Sequence, residues 1–170
     1  KSTLGTYFVT GNHEVYLGVD YVISNLKASG INILDNKAIN INGLQLVGLS
    51  YPKFGELRSD SFLKNISGYS SSLASILMYH SPTSISQNHN NANNQHSSIY
   101  WSPDINFDIA KRNGINLQLS GHTHRGQIFP YNLVADYIYK NYNYGLMTEG
   151  DFNIYTTSGI GTWGPPMRTG

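Results

Sequence analysis

The 170 residues contain no cysteine, which removes disulfides and thiolate metal sites and leaves the redox compartment open. Charge of one sign is also missing: 11 Lys plus Arg stand against 10 Asp plus Glu, a formal net charge of +1. A balance so near zero supplies no large field to draw in nucleic acid or an anionic membrane, so a polyanionic partner is not expected. Long apolar runs are absent too. The longest, such as Ile76 to Tyr79, cover only a few residues, against roughly 20 for a helix that spans a bilayer. What the length does permit is one domain with a core of its own.

What is there reads as alternating strands and helices. Thr6 to Thr10, TYFVT, is a short aromatic and β-branched run stopped by Gly11, the pattern of a buried strand. From Val15 the apolar positions Val15, Val19, Val22, Ile23 and Leu26 recur at helical spacing, and Gly30 stands where a C-terminal cap belongs. Between the alternating runs of Ile39 to Ser50, Asn42-Gly43 is the strongest short-range hairpin signal. Ser75 to His80, SILMYH, is a continuous apolar strand ending on a histidine. Asp104 to Asn113 predicts a short helix capped by Gly114, and strands are expected at INLQLS, at Gly126 to Phe129, and at Phe152 to Thr156. This order predicts a layered α/β domain.

Two segments break the rhythm. Ser86 to Ser98, SQNHNNANNQHSS, has almost no apolar side chain, so it cannot offset the entropy of ordering and is expected to be a solvated loop. Its His89 and His96 would lack the fixed geometry a metal demands. Tyr131 to Gly145 is crowded with tyrosines; part of it reads as a helix, either lining a cleft or simply half-buried at the surface.

The chemistry-bearing residues cluster just after strands, where α/β sheets place their ligands. They are TGNHE (Thr10 to Glu14), then His80, then the pair His122 and His124 in SGHTHRG. Neutral imidazole and an amide carbonyl suit a hard or borderline divalent cation, so Asn12, His80, His122 and His124 are candidate metal ligands. Taken singly, each has a plainer role: Asn12 as a helix cap, His80 as a hydrogen-bonded structural histidine, His122 and His124 as turn residues. Their joint occurrence in this order favours the metal.

Gly11-Asn12-His13-Glu14, the lone His80 and Gly121-His122-Thr123-His124 resemble the last three blocks of the calcineurin-like metallophosphoesterases. SGHTHRGQIFP and TTSGIGTWGPPMR look like a bacterial subgroup often tethered by an N-terminal membrane segment. The resemblance implies the C-terminal half of a four-layer α/β/β/α sandwich, a single partial domain over residues 1–170 with a polar insertion at 86–98. It implies two divalent metals, manganese, iron or zinc, about 3.5–4 Å apart and activating water against a phosphate ester. Asn12, His80 and His122 would ligate one ion and His124 the other. His13, not a ligand, would protonate the leaving alkoxide. Glu14 would orient His13, or serve only as an acid in the first helical turn. Arg125 and Arg168 are candidates for substrate phosphate or for solvated surface.

The family's earlier blocks, Asp-x-His and Gly-Asp-x-x-Asp, do not occur in these residues. The carboxylate that bridges the two metals is among what they supply. The expectation is therefore a parent enzyme that hydrolyses phosphomonoesters or phosphodiesters, and a chain that alone is inactive and holds at most one ion, weakly. The competing expectation is a non-catalytic binding or scaffold module on the same fold.

Overall fold

The computed structural model describes residues 2–52, 56, 58–59, 61–86 and 103–169. The polar tract expected at Ser86 to Ser98, with His89 and His96, lies outside the described residues apart from Ser86.

Among the described residues eight strands form two sheets. β1 (Tyr7–Phe8) pairs in parallel with β2 (Asn32–Ile33). The other sheet has six strands in the order β3 (Lys37–Ile41), β4 (Leu44–Leu49), β5 (Ser75–Tyr79), β6 (Leu117–Ser120), β8 (Phe152–Thr156) and β7 (Gly145–Glu149). β4, β5, β6 and β8 run parallel, and β3 and β7 close the edges in antiparallel sense. The expected hairpin joins β3 to β4, with Asn42 at φ 53° and Gly43 at φ 90°. Two successive left-handed residues match the right-handed strand twist, which is why Asn-Gly is favoured there.

The helical stretch after β1 is two helices, α1 (Asn12–Leu17) and α2 (Val19–Ala28), where the apolar spacing predicted one. Gly18 adopts φ 96° and ψ 104°, a conformation open to glycine at no steric cost, and it divides them. Further on come α3 (Asp108–Arg112) and α4 (Tyr131–Tyr139). The strand expected at Gly126 to Phe129 does not form. His124, Arg125, Gly126 and Gln127 all have positive φ, and no strand can be built from left-handed residues.

One face of the large sheet is the core. Val47 and Leu49, Leu77 and Tyr79, and Phe152 and Ile154 are buried there, beneath Leu63, Ile66, Ile85, Phe107, Ile109 and Ile115. Each such side chain contributes about 1.5–3 kcal/mol by leaving water. The opposite face is less covered. Leu46, Ile76, Met78, Leu117 and Leu119 are half-buried, and Tyr155 and Leu146 are 40% and 60% exposed. Parallel strands are usually covered on both faces. Among the described residues no helix is long and apolar enough to cross a membrane.

Candidate metal centre

Three chain segments meet at the carboxyl ends of β1, β5 and β6. The end of β1 is tied in by Tyr51, whose N–H donates to Thr10 O at 3.0 Å, and by Asp35, whose Oδ1 accepts the Thr10 N–H at 2.8 Å. Burial raises the Asp35 carboxyl above its usual range, although that bond opposes it. The β6 end is tied to the β5 end by Gly121 N–H donating to His80 O at 2.9 Å.

On this frame three candidate ligand atoms converge. His80 Nε2 lies 2.8 Å from Asn12 Oδ1 and 3.0 Å from His122 Nδ1. One ring nitrogen carries at most one proton, so without a third party it cannot satisfy both neighbours. Donors at ~2.1 Å from a six-coordinate ion lie ~3.0 Å apart along each edge of the octahedron, and the observed spacings match that edge. The set therefore fits a divalent cation. Burial, followed by the neighbouring His13 and His124, lowers the His80 pKa to about 4. Burial, followed by His80, His124 and His13, lowers that of His122 to about 3. Both are neutral near pH 7, the form that coordinates metal.

Asn12 does not cap its helix: Gly11 is the N-cap residue, and no side-chain cap bond is made. Its amide oxygen is turned to His80 instead. Gly11 is required by space, because a Cβ there would lie 2.6 Å from His80 Nδ1. Glu14 Oε2 accepts the Gly11 N–H at 2.6 Å, one half of a capping box, so its carboxylate fills the first-turn role. His13 is exposed, meets Tyr16 edge-on at 6.0 Å, and is close enough to shift the imidazoles of His80, His122 and His124.

His124 stands beside the trio. Its Nδ1 is buried without a partner, and burial, then Arg168, then His13 lower its pKa. Arg168 is engaged by backbone, donating to His124 O at 2.8 Å, Ser158 O at 3.1 Å and Gly161 O at 3.2 Å. Arg125 places its guanidinium 4.6 Å from the Tyr144 ring centre. The structure thus brings together Asn12, His80 and His122, sets His124 and His13 alongside, and turns Glu14 and Arg168 to backbone. Among the described residues no group of three or more His, Cys, Asp or Glu side chains is gathered for a metal, since the trio includes an amide.

Several supporting residues were not singled out from sequence. Thr123 Oγ1 donates to Asn143 O at 2.8 Å and accepts the Arg125 N–H at 3.2 Å. Tyr139 meets the His122 ring edge-on at 6.1 Å. Gln127, only 3% exposed, holds the C-terminal segment by donating to Trp163 O at 2.7 Å and accepting the Trp163 N–H at 2.6 Å. Gln127 lies three residues past His124, but nothing in the sequence marks it as buried.

A family model described as calcineurin-like phosphoesterase matches residues 2–126. An uncharacterized metallophosphoesterase of Helicobacter pylori strain J99 is 36% identical over 99% of this chain and 40% of its own length. A transmembrane protein with metallophosphoesterase domain from Bos taurus is 33% identical over 100% of this chain and 37% of its own. An uncharacterized metallophosphoesterase of Aquifex aeolicus is 27% identical over 97% and 56%. The chain therefore spans about two fifths of the length of the first two. No solved structure matches it significantly.

Proposed function

Because the chain belongs to the calcineurin-like phosphoesterase family, whose members generally use divalent metals, we propose that it is part of a hydrolase of phosphomonoesters or phosphodiesters. The observation that carries this reading is the approach of Asn12 Oδ1 and His122 Nδ1 to 2.8 and 3.0 Å from His80 Nε2. These three would hold one ion, and His124 would contribute to a second. Divalent ions there supply Lewis-acid neutralisation of charge on the phosphoryl oxygens. His13 delivers a proton to the leaving alkoxide from its exposed ring. Glu14 fixes the turn that presents His13, through its bond to Gly11.

The donors in these residues are all neutral, and the Asp-x-His and Gly-Asp-x-x-Asp carboxylates are not among them. Neutral donors do little to offset the desolvation of a divalent cation. We assign the carboxylates to a further part of the parent protein, which also covers the half-exposed apolar face of the large sheet; that face and the coverage of the relatives support a partial domain. Any membrane tether belongs to that part as well. The chain alone then holds at most one ion, weakly, and is inactive, which is the one respect in which it behaves as a scaffold.

Calorimetric titration with manganese and zinc, alongside assays with bis-p-nitrophenyl phosphate and p-nitrophenyl phosphate, tests this. The expected result is one weak site and no turnover for the 170 residues, and metal-dependent turnover for a protein that adds the two acidic blocks. Two tight sites or turnover in the chain alone would overturn the partial-domain reading. No metal binding by either protein would overturn the phosphoesterase reading.

A further inference from the structure

Arg58 is the one charged side chain that is buried among the described residues, at 4% exposure. A cation there has lost most of its hydration, which only close partners can offset. Its partners are few. Nε donates to Glu56 Oε1 at 2.8 Å, Nη2 donates to Ser50 Oγ at 3.1 Å, and the guanidinium lies 4.7 Å from the Phe62 ring centre. Nη1 is buried with no hydrogen-bond partner among the described residues. An incompletely bonded buried ion stabilises a fold poorly, and an apolar side chain of like size often does as well. Stability alone does not account for an arginine here.

What Arg58 touches leads to the metal centre by two routes. The first runs through Ser50, which follows β4 and whose Oγ also accepts from Asn36 Nδ2 at 3.0 Å. The next residue, Tyr51, donates its N–H to Thr10 O at 3.0 Å and meets the His80 ring edge-on at 5.8 Å. The second route is through charge. Asp35 Oδ1 accepts the Thr10 N–H at 2.8 Å; burial raises this carboxyl, and the bonds from Thr10, then the Arg58 charge, oppose that rise. Both routes end on Thr10, which is 2% exposed and stands two residues before Asn12.

We propose that Arg58 is a positioning residue of the metal centre. It clamps the Ser50–Tyr51 turn and attracts the Asp35 carboxylate, and through both it fixes Thr10, the Asn12 amide that follows, and the Tyr51 ring against His80. Its effect on metal rests on the phosphoesterase reading; its hold on the loop and on His80 rests on the contacts alone. The two are tested separately.

The parent protein with its acidic blocks is titrated with manganese by calorimetry, beside thermal melts of its metal-free form. Arg58→Met should weaken manganese by roughly 10- to 100-fold, the usual loss when a contact behind the ligands is removed. Ile115→Ala, a cavity in the core just before β6, should lower the melting temperature more and leave manganese affinity unchanged. Arg58→Lys keeps the charge without the planar fork and should fall between the parent and Arg58→Met; it carries the test if the methionine variant does not fold. Parent-like affinity in Arg58→Met, or in Arg58→Lys where only that variant folds, would overturn the assignment, as would an equal loss in Ile115→Ala. The second measurement needs no metal. In the metal-free parent the His80 ring proton resonances should shift in the Arg58 variants and stay in place in Ile115→Ala, because the Tyr51 ring moves against them. Unmoved resonances would overturn the assignment. A parent that binds no manganese while those resonances shift would sink the phosphoesterase reading and leave Arg58 holding the loop.

Discussion

At the amino ends of β4 and β5 the buried side chains of Gln45 and Ser75 are matched. Gln45 Nε2 donates to Ser70 O at 3.0 Å and to Ser75 Oγ at 2.9 Å, its Oε1 accepts the Ser70 N–H at 2.7 Å, and Asn116 Oδ1 accepts the Ser75 N–H at 2.9 Å. At the carboxyl ends of β5 and β6 the same kinds of group are left open. His124 Nδ1 and Asn143 Oδ1 are buried without partners, His80 Nε2 faces two atoms it cannot both satisfy, and His122, His124, Arg125 and Gln127 all hold positive φ. Unmatched groups and strained residues each cost about 1–3 kcal/mol. The satisfied end offsets that cost, and the open end is where a ligand completes the bonding.

The sharpest way to break this contrast is to remove an open group. His80→Ala or His122→Ala should lower manganese affinity by at least ~100-fold and take the parent's turnover to background. The melting temperature of the metal-free chain should fall less than for loss of an apolar core side chain, because the buried ring nitrogens no longer have to be kept from water. Calorimetry and a thermal melt check this. Unchanged metal affinity would mean that the trio is only a hydrogen-bond cluster.

His13→Ala comes next. It should cut the parent's turnover on poor leaving groups by roughly 10²–10⁴ while metal content, read by elemental analysis, stays intact. Loss of metal would make His13 a ligand. A smaller effect is expected of Gly11→Ala. Its Cβ would lie 2.6 Å from His80 Nδ1, and displacing a packed ring should cost about 1–3 kcal/mol and weaken manganese at least tenfold. A variant that melts and binds like the parent would show that His80 has room to move.

The satisfied end was the more legible of the two in sequence. β5, β6 and β8 follow from apolar runs and alternation, and the β3–β4 hairpin from Asn42-Gly43, because each depends on local periodicity or turn chemistry. The trio was legible as residue types, since Gly11-Asn12, His80 and His122 follow strands. Its surroundings were not. The left-handed residues His122 and His124 to Gln127, read partly as a strand, are fixed by tertiary bonds: Thr123 to Asn143, Gln127 to Trp163, and Arg168 to His124 O. β7 was missed because Gly145 to Glu149 lacks strong alternation and is held as an edge by β8. No pattern around Asn143 announces that its Oδ1 will be buried and unpaired.

The smallest effect is expected at the satisfied end, at Glu149. Lys111 Nζ and Tyr142 Oη both donate to its carboxylate. Burial pushes Glu149 up, but those two bonds and the Lys111 charge outweigh it and hold the carboxyl below its ordinary 4.5. A carboxyl with a depressed folded pKa contributes stability above the unfolded value and loses it as pH falls through the folded value. Lys111 is raised from its ordinary 10.5, first by the bond to Glu149, so its share is present below 10.5 and fades only above. The pair therefore acts in full between those limits. Its side chains are about 30% exposed, so solvent screens it and the contribution stays at ~1 kcal/mol or less. Glu149→Gln should cost that much at pH 7, nothing relative to the parent well below pH 4, and less in high salt, by denaturant melts. Manganese affinity should not change, because Glu149 lies across the sheet from the trio. A loss of several kcal/mol, or any shift in metal binding, would mean that the two ends are coupled and that the contrast between them is drawn in the wrong place.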